Sequence, residues 1–271
     1  MFKQSTSKQH VRPAAVAGMF YPSDPDELRT MVRQMLTQAE DLETDINQPV
    51  AIIAPHAGYI YSGPVAATAY RQIGRYHHKI KRVILLGPSH RVPFRGLAMS
   101  SASHFTTPLG LIPIDTASYE KIANHPAVQL LDAAHAQEHS LEVHLPFLQA
   151  VLDDFTLVPL VVGETGKQDV AEVIEMLGLQ EDTLVVVSSD LSHYHDYQSA
   201  QALDRHTSDA IVHLQPEQIG YEDACGRNPV NGLLTLAKDH QLHVIAADLR
   251  NSGDTAGPRD RVVGYGAYLF H

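Results

Sequence analysis

Two histidines sit at the ends of apolar runs, and their placement sets the chemistry to look for. In Ala51-Ile-Ile-Ala-Pro-His56-Ala-Gly-Tyr59 and Val83-Ile-Leu-Leu-Gly-Pro-Ser-His90-Arg91, aliphatic residues meet a proline break and an imidazole follows. A continuous aliphatic run bounded by turn residues reads as a strand covered on both faces, and such sheets collect ligands beyond the carboxyl ends of their strands. A backbone hydrogen bond in a loop explains either histidine alone. Two at equivalent strand ends point to a metal ion, because neighbouring strands deliver their ends to one crevice.

Cys225 is the single cysteine of the chain and lies just before Asn228-Pro229. That sequence suits a helix start, where the dipole favours a thiolate. Read alone, a lone cysteine is more often an inert core residue. Joined to His56 and His90 it completes a His, His, Cys set with an open position, which suits Fe(II), Cu or Zn and discriminates against Mg and Ca.

Glu138, His139, Glu142 and His144 carry ligand chemistry too, but the histidines are five apart and not the four of a helical zinc motif. The group reads as carboxylates that fix imidazole tautomers, with a solvated helix face as the competing explanation for part of it. Asp190 and His193, in Ser188-Ser-Asp-Leu-Ser-His193, read as an orienting carboxylate and a general acid/base at a third strand end. No Gly-x-Ser-x-Gly elbow surrounds Ser188 or Ser189, which sets serine hydrolysis aside. Gly163-Glu-Thr-Gly-Lys167 lacks the spacing and the hydroxyl residue of a phosphate loop, and no Gly-x-Gly-x-x-Gly follows a strand.

The elements that position these residues follow from periodicity. Strands are predicted over 50–54, 82–86, 156–162, 183–189, 243–249 and 261–270. Helices are predicted over 64–73, 116–123, 168–177 and 198–214, and from the Asn228-Pro229 region through 238. An earlier helix, capped by Ser23, carries Leu28, Met31, Val32 and Met35 at helical spacing. Residues 96–115 read as strands joined by turns, an antiparallel extension of the sheet. Leu141, Leu145, Leu148 and Leu152 share a helical face, with Pro146 at the helix start or at a kink. Strand, helix, strand succession implies right-handed parallel crossovers. The expected fold is therefore α/β, a mixed and mostly parallel central sheet flanked by helices, in one domain over 11–271 after a flexible tail over 1–10, with a polar connector over 40–49.

Composition agrees. A chain of 271 residues with 44% hydrophobic content builds a large core without a structural metal, so a metal here is functional. A net charge of -11, from 20 Lys and Arg against 31 Asp and Glu, argues against nucleic acid. With one cysteine, no apolar signal core and no run near the about 18 residues that span a bilayer, the expectation is a cytoplasmic protein off the membrane.

Several motifs together carry a family resemblance: Pro55-His-Ala-Gly-Tyr59, Gly87-Pro-Ser-His-Arg91, Glu138-His-Ser-Leu-Glu142 with His144-Leu-Pro146, Ser188-Ser-Asp-Leu-Ser-His193, Cys225-Gly226 and Asp260-Arg-Val-Val-Gly-Tyr-Gly266. Spread in order over nearly the whole chain, they resemble the Memo family (mediator of cell motility), whose prokaryotic members are called AmmeMemoRadiSam system protein B. The resemblance implies a fold related to LigB-type class III extradiol dioxygenases, which hold non-haem Fe(II) with two histidines and a glutamate and cleave catechols. It puts metal ligands at His56, His90 and Cys225, with His193 as pocket histidine and Asp190 beside it. Glu138, His139, Glu142, His144, Tyr59 and Ser89 then line the pocket or orient the ligands. A thiolate in place of the carboxylate departs from the dioxygenase pattern and disfavours ring cleavage by the usual route. The implied function is an iron or copper redox protein acting on a small-molecule or peptide ligand, in company with an AMMECR-type protein and a radical SAM enzyme. A non-catalytic adaptor using the same crevice and a true dioxygenase are the alternatives.

Overall fold

Four apolar runs lie side by side at the centre of the molecule, and their burial explains their composition. The computed structural model describes residues 10–42 and 47–271. Residues 1–9 of the expected tail and 43–46 of the expected connector lie outside the described residues. His10 is tied down, its carbonyl accepting from Ser103 N at 2.7 Å.

In chain order the strands are β1 (Val11–Arg12), β2 (Ala51–Ala54), β3 (Arg82–Pro88), β4 (Leu97–Met99), β5 (His104–Thr107), β6 (Gly110–Pro113), β7 (Val128–Leu130), β8 (Thr156–Val162), β9 (Thr183–Ser188), β10 (His193–His195), β11 (Val244–Asn251) and β12 (Val262–Phe270). The helices are α1 (Pro25–Gln38), α2 (Tyr59–Gly74), α3 (Thr116–Ile122), α4 (Asp132–Ala136), α5 (Leu145–Val151), α6 (Lys167–Leu177), α7 (Tyr197–Val212) and α8 (Arg227–Asp239).

The main sheet runs β10-β12-β2-β9-β3-β8-β4-β7, with β11 on β12, and a small sheet β1-β5-β6 lies apart. The central four strands, β2, β9, β3 and β8, are parallel, while β12 joins β2 and β4 joins β8 antiparallel. Mixed character thus enters at the flanks, and the parallel centre is where both faces are covered and every residue of β2, β3 and β9 is buried. One contiguous core includes Ile52, Leu85, Val158 and Val186 from these strands.

Two predicted helix starts differ from the structure for identifiable reasons. The cap of α1 is Asp24 and not Ser23: its carboxylate accepts from Asp26 N at 2.9 Å and Glu27 N at 3.0 Å, and Pro25 fills the first turn. Helix α2 begins at Tyr59, ahead of Pro64. The carbonyl that Pro64 leaves without a helical partner belongs to the exposed Ile60, where water can serve it. Among the described residues no helix is long and apolar enough to cross a membrane.

Candidate metal centre

His56 follows β2 directly, and its main chain is pinned by Asp190, whose Oδ1 accepts from His56 N at 2.8 Å. Its ring is fixed by a chain of hydrogen bonds. Ser188 Oγ at the end of β9 lies 2.6 Å from His56 Nδ1 and donates to Ser140 O at 2.6 Å. A hydroxyl has one proton, and the carbonyl can only accept it. Ser188 therefore accepts from His56 Nδ1–H, which leaves the lone pair on Nε2. That atom faces Cys225 Sγ at 3.4 Å and Asp190 Oδ2 at 4.0 Å.

His90 is oriented by a buried carboxylate. Glu138 Oε1 takes His90 Nδ1 at 2.9 Å, while Oε2 accepts from His90 N at 2.6 Å. Oε1 also accepts from His139 N at 2.9 Å and Ser140 N at 3.0 Å. Burial alone would raise the Glu138 carboxyl, but the hydrogen bond and charge of His90 and the backbone donors outweigh it and hold the group at about 2. An ionised Glu138 makes His90 Nδ1 the donor, so this second imidazole also presents Nε2.

The structure gathers His139, where the sequence reading set Cys225, as the third donor of the compact group. One ring nitrogen from each of His56, His90 and His139 lies within 4.8 Å of the others. His139 stacks on His90 with centroids 4.5 Å apart and meets His56 edge-on at 5.5 Å. Helical spacing does not apply to it, because residues 137–141 precede the first helical turn at Glu142–His144. The loop reaches β3 because residue 87 is glycine: a Cβ there would fall 2.8 Å from Ser140 Oγ and 2.9 Å from Leu141 Cδ2. Phe20 covers the other side of His139, with centroids 4.6 Å apart.

These rings are poised as ligands. Burial, then the neighbouring imidazoles, push His56 well below its ordinary range and His139 down to about 4. Metals need neutral imidazoles, and buried His139 Nδ1 stands 3.4 Å from Glu138 Oε1 without a hydrogen bond. An all-imidazole cluster with a thiol beside it fits a borderline transition metal, not Mg or Ca.

Cys225 touches His56 but stands outside the group of three. Gly226 brings it there, since a Cβ at that position would meet Ser188 O at 2.5 Å. Although α8 begins two residues later, the thiol is not lowered as a helix start would have it: burial and the Asp190 charge push it well up. Two donors bound to one tetrahedral ion at about 2.1 and 2.3 Å stand roughly 3.6 Å apart, so the Cys225–His56 contact has the separation of two ligands sharing an ion.

The other expected residues separate into near and far. Burial raises Asp190 to about 6, with His193 and the hydrogen bond from His56 N pulling the other way. His193 therefore stands within electrostatic reach of Asp190, and among the described residues no hydrogen bond joins them. Tyr194, between His193 and His195, has φ 63 where β10 bulges against β12. The segment 193–195 is thus a short strand. Ser89 Oγ donates to Val92 O at 2.6 Å and lines a cavity with Cys225. Tyr59 Oη donates to Val143 O at 2.7 Å, and His144 Nδ1 pairs with Tyr70 Oη at 2.9 Å. Glu142 serves the N-terminal segment: it pairs with Arg12 and accepts from Ala15 N, Val16 N and Tyr21 Oη. Ser188 and Ser140 were missed as orienting groups, and nothing in their spacing announces the contact.

Fold and site together define an α/β protein with three clustered imidazoles beyond the carboxyl ends of its central parallel strands. Residues 12–269 match the profile of the family described as Memo-like protein. A MEMO1 family protein of Aquifex aeolicus is 36% identical over 271 residues, covering 96% of this chain and 99% of the relative. One from Ignicoccus hospitalis is 35% identical over 283 residues, covering 96% and 98%. The crystal structure of an uncharacterized protein from Escherichia coli K12 shares the fold, with a TM-score of 0.51 at 14% identity over 82% of this chain and 99% of that one. The chain belongs to the Memo family.

Proposed function

We propose that this Memo-family protein is a cytoplasmic metal-dependent redox protein that holds iron, with copper or zinc as the alternatives, at His56, His90 and His139, with the Cys225 sulfur beside them. One observation carries the reading: the Nδ1 atoms of His56 and His90 are committed to Ser188 and Glu138, so two lone pairs and a third imidazole converge. Bound iron would supply one-electron chemistry. The chain's own residues exclude water behind His56 and offer the buried Asp190 and, within its electrostatic reach, the half-buried His193 as groups that hold or move a proton. The ligand is a small molecule or peptide in the crevice, and the resemblance adds an AMMECR-type protein and a radical SAM enzyme as partners.

The test is elemental analysis of anaerobically purified protein beside His139→Ala and Cys225→Ser. Stoichiometric metal in wild type that is lost on changing a donor supports the reading, and folded wild type that cannot be loaded sinks it. A second reading, a docking adaptor, is favoured by exposed Met19, Ile60, Tyr61 and Tyr194 on segments adjoining the histidines. Partner capture that survives His56→Ala would favour it. Extradiol cleavage rests on the resemblance alone, and oxygen uptake with catechols decides it.

A further inference from the structure

A cavity of about 310 Å³ opens between the ends of β3 and β8 and the segment entering α8. Ser89 and Cys225 line it, and Cys225 Sγ lies 3.4 Å from His56 Nε2, so the cavity adjoins the candidate metal centre. Val92, Phe94, Val162 and Ala224 give it apolar walls, and its far end is polar.

Arg227 occupies that end and is held from two sides. Its guanidinium carbon lies 3.3 Å over the centre of the Tyr221 ring, and its NH2 group reaches both oxygens of Glu164 at 3.2 Å. Tyr221 Oη in turn donates to Glu164 Oε2 at 3.0 Å. An arginine has five N–H donors, and among the described residues Nε and NH1 make no hydrogen bond. The guanidinium is therefore fixed in place with its Nε and NH1 donors unspent, so it can still give charge-assisted hydrogen bonds to an anion. Glu164 is largely exposed, so water screens its charge more than it would screen a carboxylate enclosed in the cavity.

We propose that this cavity is the subsite for a small planar organic acid, with the carboxylate on Arg227 and the ring between the apolar walls. The opposite end of the molecule faces Cys225 and the histidines, a direction that rests on the metal-centre reading, whereas the binding itself does not. An acid of this class fits better than inorganic phosphate, because phosphate would leave the apolar walls unfilled.

Calorimetric titration of the full chain with benzoate, beside its neutral isostere benzamide, tests this. Benzoate binds at one site per chain and more tightly than benzamide. Arg227→Gln weakens benzoate about tenfold, as expected for loss of a charge-assisted pair, and leaves benzamide unchanged. Glu164→Gln frees the guanidinium and tightens benzoate several-fold, an opposite sign that a purely structural role for the pair does not produce. His56→Ala, lacking the metal centre, still binds benzoate, so failure of the metal reading and failure of the subsite are distinguishable. Equal binding of benzoate and benzamide, unchanged benzoate affinity in folded Arg227→Gln, or no benzoate binding to wild type would overturn the inference.

Discussion

Ser188 Oγ sits 2.6 Å from His56 Nδ1 and gives its only proton to Ser140 O, so one hydroxyl fixes the tautomer of a candidate ligand and ties it to the loop that carries His139. Removing the hydroxyl leaves Nδ1–H buried without an acceptor and lets the ring turn. Ser188→Ala is expected to lower metal affinity about 10- to 100-fold with little change in fold. Competition of Zn²⁺ or Co²⁺ against a chromophoric chelator measures it, and unchanged affinity in Ser188→Ala would refute the orienting role.

His139 and Cys225 compete for the third place beside His56 and His90. The compact group predicts that His139→Ala loses most of its metal while Cys225→Ser keeps it, and that the Co²⁺ form of the wild type shows no sulfur-to-metal charge-transfer band. Loss of metal in Cys225→Ser with retention in His139→Ala would put the thiolate in the coordination sphere and the third imidazole outside it. Metal analysis of the two variants and the absorption spectrum of the Co²⁺ wild type read both results.

The strands were legible from sequence because a buried parallel strand has little freedom of composition. The run over 156–162 coincides with β8, and the stretch over 183–189 differs from β9 by one residue. β3 runs on through Gly87 and Pro88, past the predicted end, because β8 offers partners at Val161 and Val162. His56 and His90 were legible for the same reason, as each is the first imidazole past a strand end. His139 was not, because its place depends on a loop folding over Gly87, a contact between residues far apart in the chain. The Cys225 acidity misled because a helix-start argument sees only local backbone, whereas burial and Asp190 set the outcome. Ser188 was invisible because its role is a hydrogen-bond count that only coordinates reveal.

Arg12 and Glu142 form an ion pair with almost no solvent contact, their side chains 6% and 0% exposed. Arg12 also donates to His135 O at 3.1 Å and Glu138 O at 2.6 Å, so it joins the N-terminal segment to the segment that carries His139. Arg12→Ala leaves a buried carboxylate with only neutral donors. It is expected to cost about 3–5 kcal/mol in urea denaturation. A loss below about 1 kcal/mol would show that water or another cation takes the place of the guanidinium.

Asp204, on α7, supplies a pH test away from the three clustered histidines, with His195 the imidazole whose charge reaches it. Its Oδ1 accepts from Ser192 N at 3.0 Å, and its carboxyl packs so closely on β12 that a Cβ at Gly264 would fall 2.2 Å from Oδ2. Burial raises the group from its ordinary 3.8 to about 6, against the pull of the Ser192 donor. Between those values the folded chain keeps a proton that the unfolded chain has released. The stability this proton gives is complete below about 3.8 and lost as the pH rises through about 6. Asp204→Asn imitates the protonated form and keeps an acceptor for Ser192. It is expected to stabilise the protein at pH 7 by on the order of 1–3 kcal/mol and to change little at pH 4. Melting temperatures of both proteins across this range should converge toward acid. A difference that stays constant with pH, or a destabilised Asp204→Asn at pH 7, would show that the carboxylate is ionised and well paired in the folded chain.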